Sequence, residues 1–159
     1  MPPMRRIDIA IEGLIFAAEP ADPPRPAPTD AQVAETEQTL GAKLPPSFLE
    51  YMQRCGLYAL PDWTTFWVGG HELLFSNIVE ANESARADED APLPEFFLAF
   101  QDNGEGDLYC FDTRLPDSHG EYPVILFDTT RSTEANLKDP SPVAKTFADW
   151  LCEEVQQWG

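Results

Sequence analysis

Residues 29–56 read TDAQVAETEQTLGAKLPPSFLEYMQRCG and predict two short helices joined by a tight turn. Thr29 and Gln32 have the spacing of a capping box at the start of the first helix, and Gly41 is of the residue type that ends helices. A Pro-Pro pair suits the first turn of the second helix, which Gly56 closes. This stretch therefore predicts a helical pair on which the rest of the chain must pack.

Downstream, the apolar pattern changes from a period of 3.6 to a period of two, which is typical of strands. The candidate strands are Thr65–Val68, His71–Phe75, Phe96–Gln101, Asp107–Asp112 and Pro123–Phe127. Asn103 and Gly104 tolerate the positive φ of a hairpin turn, so the third and fourth strands should form a β-hairpin with a five-residue loop.

Helices over 30–40, 46–55 and 144–157 should cover this sheet, and residues 128–142 are polar enough to predict a loop. The closing helix carries large apolar residues along one face, which suits packing on strands. We therefore expect an α+β fold with a mainly antiparallel sheet of about five or six strands flanked by helices.

The N-terminal 28 residues differ in composition from the rest of the chain. Residues 7–17 carry an apolar stripe that fits a short helix, with a strand as the alternative. Residues 20–28 hold five prolines in nine positions, which excludes a helix or a central strand. We predict residues 1–28 to be a short helix or strand plus a Pro-rich connector, semi-rigid or mobile, and 29–159 to be the folded domain.

The most unusual feature of the composition is its excess of negative charge. The chain has 28 acidic residues against 10 basic ones, a formal net charge of −18. Such a field disfavours nucleic acid and membrane surfaces and favours a basic protein partner. Asp8 and Glu12 interrupt the N-terminal apolar run, so neither a signal peptide nor a membrane span is expected, and we predict a cytoplasmic protein. The three cysteines lack a CxxC pair and are expected to be buried or half-buried thiols in a reducing compartment.

Catalytic motifs are absent from the sequence. GxSxG, P-loop and HExxH patterns do not occur, and His71 and His119 stand without a nucleophile motif. Asp102, Glu105 and Asp107 surround the hairpin loop and read either as a cation site or catalytic acid pair, or as a solvated turn; they do not fit the calcium-loop spacing. We predict no catalytic, cofactor-binding or metal-binding residues and no cofactor.

Exposed acids and a group of aromatic residues are the candidates for partner binding. The acids lie in an exposed helix or loop over residues 80–95 and at the hairpin loop, where solubility is the alternative role. The aromatic residues are either core or interface anchors. The candidates are Glu80, Glu83, Asp88, Glu89, Asp90, Asp102, Glu105, Trp63, Phe66 and Trp67.

Taken in chain order, several motifs resemble the SUKH superfamily, which includes the yeast Smi/Knr cell-wall regulators. An acidic helix with Glu37 leads into a G-x-x-L-P step at residues 41–45. Residues 106–112 are similar to the G-D-x-x-x-x-D strand of that group, 123–128 to its next strand and 146–151 to its closing helix. The resemblance covers about residues 29–155. It implies an α+β fold and, in bacteria, an immunity protein without family catalytic residues that neutralises a toxin of a polymorphic or contact-dependent system.

The expected function is therefore binding of a cognate toxin domain, which blocks its active site or its access to substrate. A basic nuclease is one candidate toxin, and this protein is expected to act as a monomer or a weak dimer. Two alternatives stay open: a small carboxylate-based hydrolase that uses Asp102, Glu105 or Asp107, and a non-catalytic regulatory scaffold of the same fold.

Overall fold

The computed structural model describes residues 4–21, 24–59, 64–69 and 77–158. The candidate strand His71–Phe75, together with Trp63, lies outside these residues. Within them the chain forms the following elements in order: α1 (Arg6–Ala17), β1 (Glu19–Pro20), α2 (Asp30–Leu40), α3 (Pro46–Arg54), β2 (Tyr58–Ala59), β3 (Thr64–Thr65), α4 (Ile78–Arg86), β4 (Phe97–Asp102), β5 (Leu108–Asp112), β6 (Val124–Phe127), α5 (Thr133–Lys138), β7 (Ser141–Ala144) and α6 (Phe147–Trp158).

In the part of the chain that the structure describes, the main sheet has five strands in the order β3-β4-β5-β6-β7, and every neighbouring pair is antiparallel. Sheet order follows chain order because each connection returns the chain beside the strand it has just left. The predicted hairpin is confirmed, with Asp102 opposite Leu108 and five residues between them. A separate two-stranded sheet joins β1 to β2. The α+β prediction with a mainly antiparallel sheet is thus confirmed.

The predicted helical pair is also confirmed in detail. The Thr29 hydroxyl accepts the Gln32 N–H at 3.1 Å, and the Gln32 side chain accepts the Thr29 N–H at 2.9 Å, which completes the capping box. Gly41 ends α2 with φ of 74°, a conformation that favours glycine. Pro45 precedes α3 in an extended conformation, so the second helix starts where the prolines allow.

An aromatic cluster joins α3 and α6 to one face of the sheet. Phe100 of β4 stacks on Phe111 of β5 with ring centroids 4.2 Å apart, and Phe48 of α3 meets both rings edge-on. Phe147 and Trp150 of α6 complete the cluster, since both rings pack edge-on against Phe100. Such pairs contribute about 0.5–1.5 kcal/mol each beyond their area burial, so this cluster is the main tie between the helices and the sheet.

The N-terminal segment is helical over α1 and is packed onto this core. Ile11 and Leu14 are fully buried, and Gly13 allows the close approach of α6, since an added Cβ would lie 2.7 Å from Cγ1 of Val155. Beyond it, the Pro26 carbonyl accepts the Trp67 indole N–H at 2.8 Å, so the Pro-rich connector is hydrogen-bonded to the domain. In the described ranges no helix, α1 included, is long and apolar enough to cross a membrane.

The prediction of a loop over residues 128–142 was wrong, because α5 lies within this range and β7 begins in it at Ser141. Ser132 caps α5 by accepting the Ala135 N–H, and the buried Asn136 amide hydrogen-bonds the backbone N–H and carbonyl of Asp128. A helix of six residues carries no apolar stripe, and Pro142 argues against a strand except at a sheet edge, where β7 lies. Side-chain hydrogen bonds within this segment, and the pairing of β7 with β6, therefore form elements that the polar composition does not reveal.

Candidate partner-binding surface

Residues 78–112 carry half of the net charge of the protein. This stretch has ten acidic residues and one basic residue, a formal charge of −9 out of −18. It comprises α4, the loop after it and the β4–β5 hairpin. The sequence thus concentrates negative charge in one continuous part of the chain.

The helix α4 holds two candidate acids on its exposed side. Its N-cap residue, Asn77, accepts the N–H groups of Val79 and Glu80, and the negative charge of Glu80 suits the first turn of a helix. Asn82 is fully buried on the opposite side, whereas Glu80 and Glu83 are exposed. The buried Asn82 therefore fixes the helix on one side, and the carboxylates of Glu80 and Glu83 point to solvent on the other.

The loop after α4 keeps three more acids at the surface. The Asp88 carboxylate accepts the N–H groups of Asp90 at 2.9 Å and Ala91 at 2.8 Å, which forms a tight turn. Ala91 and Leu93, just after this turn, are buried, so their packing in the core holds the end of the loop in place. Asp88, Glu89 and Asp90 are all exposed as a result.

The hairpin loop is ordered by its own side chains. The Asp102 carboxylate accepts the Gly104 N–H at 2.6 Å, and the Asn103 side-chain carbonyl accepts the N–H groups of Glu105 and Asp107. Glu105 is exposed, while Asp102 is half-buried. Because these carboxylate and amide oxygens are engaged by backbone N–H groups, the arrangement fits the solvated turn. Among the described residues, no three His, Cys, Asp or Glu side chains come together as a metal-binding group.

Sequence reasoning missed Asp128 as a neighbour of the hairpin acids. Burial, followed by the negative charge of Asp128, raises the pKa of Asp107. The hydroxyl and N–H of Thr130 donate to Asp128 at 2.6 and 2.9 Å and lower its pKa. Leu108 pairs with Phe127, so the strand register places Asp107 beside Asp128. Strand pairing, which the sequence does not specify directly, creates this carboxylate pair.

The candidate acids keep their charge unneutralised. Within the described ranges, none of Glu80, Glu83 and the Asp88–Asp90 group, nor either candidate acid of the hairpin, forms an ion pair. Arg86, the one base of this stretch, donates instead to the carbonyls of Glu95 and Phe97. The charge of the surface is therefore free to act on a partner.

The acids of α4 and those of the hairpin belong to one structural unit. Asn82 of α4 bonds to the backbone of Ala99 in β4, and β4 leads directly into the hairpin. No hydrogen bond or ion pair between described residues links the helix and loop acids to those of the hairpin. The two groups of acids are therefore carried by the same strand, β4, but they do not contact each other through a hydrogen bond or an ion pair within the described residues.

Phe66 and Trp67 lie in the core rather than on the surface. Phe66 is 7% exposed and Trp67 is fully buried, and the Arg25 guanidinium lies 4.2 Å from the centroid of the Trp67 ring. Tyr51 packs edge-on against the same indole. A partner cannot reach these side chains in this conformation, so they serve packing. The third aromatic candidate, Trp63, lies outside the described residues.

The other groups singled out in the sequence do not form a reactive site. Cys55, Cys110 and Cys152 are free and buried, as predicted, and burial raises the pKa of Cys55 to about 11, which disfavours the thiolate. His119 lies exposed in a turn where its N–H donates to Asp117 at 2.8 Å. His71 lies outside the described residues.

A shallow groove of about 520 Å³ lies between β7 and α6, apart from the acidic stretch. Its lining is mixed, with apolar side chains from the strand and charged ones from the helix. The lining residues are Pro123, Pro142, Val143, Ala144, Lys145, Asp149 and Glu153. None of the candidate acids contributes to it, so this groove and the acidic stretch are separate features.

Comparisons with known proteins identify relatives of the chain. The family model of the SMI1 / KNR4 family (SUKH-1) matches residues 27–153. No curated protein matches. The chain is similar to a protein from Pseudomonas syringae pv. tomato, known from its crystal structure, with 20% identity, 83% of this chain and 96% of that chain covered, and a TM-score of 0.60. At that identity the likeness shows a shared fold.

Proposed function

Because this chain belongs to the SMI1 / KNR4 family (SUKH-1), a family of immunity proteins, we propose that it binds and neutralises a cognate protein toxin in the cytoplasm. The observation that carries the proposal is the charge of residues 78–112, which is half of the total: seven of their ten carboxylates are exposed, and none of these seven forms an ion pair within the described ranges. Electrostatic complementarity then implies a basic toxin domain.

A basic nuclease fits this surface well as a target. Such an enzyme attracts the phosphate backbone with a cationic groove, and a row of carboxylates competes for the same groove. Binding there blocks the active site or access of the substrate without any chemistry by the inhibitor. Electrostatic steering also raises the association rate by about 10–10³-fold, which suits an inhibitor that must capture a toxin already in the cell.

Rigid support of the acids favours tight binding. Asn82, Arg86 and Asp88 fix α4 and its loop through hydrogen bonds to the backbone, and Asn103 fixes the hairpin. A surface that is ordered before binding loses less conformational entropy in the complex. The same features support a non-catalytic role, since they hold charges in place without a nucleophile and base pair beside them.

The Asp107–Asp128 pair favours a second candidate function, a carboxylate-based hydrolase. Two neighbouring carboxyls with pKa values displaced in opposite directions resemble an acid and base pair. Under this hypothesis the purified protein should hydrolyse an ester, glycoside or phosphodiester substrate, and Asp107→Asn should abolish turnover. Absence of turnover in the wild type, with and without divalent metal, would remove this candidate.

Association kinetics test the toxin-binding proposal. Glu83, Asp88, Glu89 and Asp90 are replaced together by Ser or Asn, and binding to a candidate basic toxin domain is measured by stopped flow. We expect association to slow by about tenfold or more at low salt, with the difference shrinking as salt screens the charges.

A matched variant separates steering from a general loss of charge. Replacing Glu12, Glu19, Glu35 and Glu153 by Gln changes the net charge equally, at exposed positions outside the acidic stretch. This control should slow association much less. An unchanged rate in the first variant, with full protection of cells that express the toxin, would leave only solubility as the role of these acids.

A further inference from the structure

Residues 24–28 of the Pro-rich connector, PRPAP, pack on the domain as one face of a polyproline II helix. Each of these residues is a proline or precedes one, which fixes φ at about −65° or favours an extended backbone. A polyproline II helix has about three residues per turn. Arg25 and Pro28, one such turn apart, are buried, whereas the other three residues are exposed. The burial of this segment therefore follows the period of a polyproline II helix.

The domain supplies hydrogen-bond donors to the backbone of this segment. The indole N–H of Trp67 donates to the Pro26 carbonyl at 2.8 Å, and the Gln53 amide donates to the Pro28 carbonyl at 2.8 Å. A polyproline II helix forms no hydrogen bonds of its own, so its carbonyls stay available to such donors. An aromatic side chain beside the carbonyls of an extended proline-rich segment is the arrangement by which domains recognise proline-rich peptides.

Arg25 occupies a site that suits a guanidinium group. The centre of its guanidinium lies 4.2 Å from the centroid of the Trp67 ring, a favourable cation–π arrangement, and its Nη2 donates to the Tyr58 carbonyl. Arg25 is only 9% exposed, and among the described residues its Nε has no hydrogen-bond partner. Incomplete pairing of a buried cation costs free energy, which limits how firmly the segment is held.

Gly56 allows the backbone of the segment to approach the domain closely. Its carbonyl accepts the Arg25 N–H at 2.9 Å, and an added Cβ would lie 1.9 Å from the Arg25 carbonyl oxygen. Glycine is the residue that admits such close contact with another backbone. The family match begins at residue 27, so Gly56 and Trp67 lie inside it and Arg25 lies before it. The receiving side thus belongs to the family domain, and the arginine is supplied from outside the matched residues.

We propose that Gln53, Gly56, Tyr58 and Trp67 form a binding site, the connector groove, for a partner's proline-rich segment that carries an arginine. Residues 24–28 are its internal ligand, and a partner segment of the same chemistry displaces them and takes over their contacts. The net charge of −18 favours such a cationic ligand. Trp67 is buried because the internal ligand covers it, so the groove becomes accessible only by exchange.

The internal ligand sets a threshold for this exchange. It is tethered on both sides, to α1 and to α2, and so competes at an effective concentration that is roughly millimolar for a short linker. A partner segment must therefore bind more tightly than the internal one or be present at a comparable concentration. Weakening the internal ligand while keeping the groove intact should lower that threshold.

Arg25→Ala in the full chain tests the proposal, with a capped peptide of the sequence of residues 23–29 as the probe. Binding is measured by NMR titration through the indole N–H resonance of Trp67. We expect the variant to bind the peptide at least about tenfold more tightly than the wild type, because its internal ligand lacks the arginine. The same peptide with Arg25→Ala should bind about tenfold more weakly than the unaltered peptide.

Gly56→Ala is the matched control. Its Cβ also pushes the internal ligand away, but it obstructs the groove for the backbone of any ligand, so this variant should gain no peptide binding. Equal binding by the two variants would place the peptide elsewhere on the molecule and overturn the proposal.

The wild type provides a measurement that needs no substitution in the protein. At millimolar peptide its Trp67 indole resonance should shift with the arginine peptide and not with the alanine peptide. If this resonance stays in place, and the folded Arg25→Ala variant binds no peptide, residues 24–28 serve only to fasten α1 to the domain and the proposal is overturned. If that variant does not fold, the wild-type titration alone decides.

Discussion

Asn82 hydrogen-bonds both backbone groups of Ala99. The Ala99 N–H donates to Oδ1 at 2.8 Å, and Nδ2 of Asn82 donates to the Ala99 carbonyl at 2.9 Å. A side-chain amide thus replaces a neighbouring strand at this point of β4, where the pairing with β5 also shifts at a bulge. The two bonds fasten α4, and with it the candidate acids, to the sheet.

Asn82→Ala should destabilise the protein strongly. The substitution leaves a buried N–H and a buried carbonyl of Ala99 unpaired, at a cost of about 1–3 kcal/mol for each group. Chemical denaturation should therefore show a loss of about 2–5 kcal/mol in the free energy of unfolding, within that range. Ser84→Ala on the exposed side of the same helix is the control and should change stability little. Similar stabilities for the two variants would show that the amide is dispensable.

Gly56→Ala should be more harmful than Gly41→Ala, for a different reason. A Cβ at Gly56 would lie 1.9 Å from the carbonyl oxygen of Arg25, so the connector must move away from the domain. At Gly41 the space is open, and only the positive φ of 74° is unfavourable, by about 1 kcal/mol. Thermal denaturation should rank the variants in this order, and limited proteolysis should cut the connector faster in Gly56→Ala.

Glu154→Gln should stabilise the protein at neutral pH. Glu154 is 5% exposed, its Oε2 has no hydrogen-bond partner among the described residues, and burial raises its pKa. A raised pKa means that the folded state favours the protonated carboxyl, so stability is lost as pH rises through the folded pKa. The variant should therefore melt higher than the wild type at pH 7, and the gain should vanish near pH 4.

Glu153→Gln tests whether the effect belongs to the buried group. Glu153 is exposed on the same helix, and its charge is only the second cause of the raised pKa of Glu154. Its replacement should produce a smaller gain at pH 7. A destabilised Glu154→Gln at pH 7 would show that the carboxylate is stabilised in the fold by an interaction that outweighs its burial.

Asp8→Asn should weaken the protein at neutral pH but not in strong acid. Hydrogen bonds from Arg5 and then Arg54 lower the pKa of Asp8 to about 2. The stabilisation is present above the unfolded pKa of about 4 and is lost as pH falls toward 2. Melting curves from pH 2 to 7 should show the two proteins converging at the acid end, whereas Glu12→Gln on the same helix should have little effect. The titration of the Asp8 carboxyl carbon by NMR gives the pKa directly.

Local signals in the sequence were sufficient for several elements. The capping box of Thr29, the stop at Gly41 and the prolines before α3 act within a few residues of one another, so they can be recognised without tertiary contacts. The same holds for the hairpin loop around Asn103. In contrast, α5 is held by Asn136 reaching the backbone of Asp128, and β7 by its pairing with β6, and no local pattern shows either contact.

The partner-binding candidates also divide into those whose exposure the local sequence predicts and those whose position only tertiary packing decides. Glu83 and Glu89 were predicted to be exposed from the charge pattern, and the structure exposes them. The aromatic pair of Phe66 and Trp67 was ambiguous, because an aromatic side chain suits a core and an interface equally. Burial decided their role, and Trp67 is covered by Arg25 and Tyr51, which come from segments distant in the chain.

The sequence by itself determined the charge of the molecule, the helical pair, the hairpin and the antiparallel α+β class, because charge is additive and because caps, turns and apolar periods act over a few residues. Only the tertiary structure decided which acids neighbour each other and which side chains are covered. The contact of Asp107 with Asp128, the bonds of Asn82 to Ala99 and the packing of Arg25 on Trp67 all arise from pairing and packing between distant segments. Such contacts depend on three-dimensional proximity, which composition and local spacing do not encode.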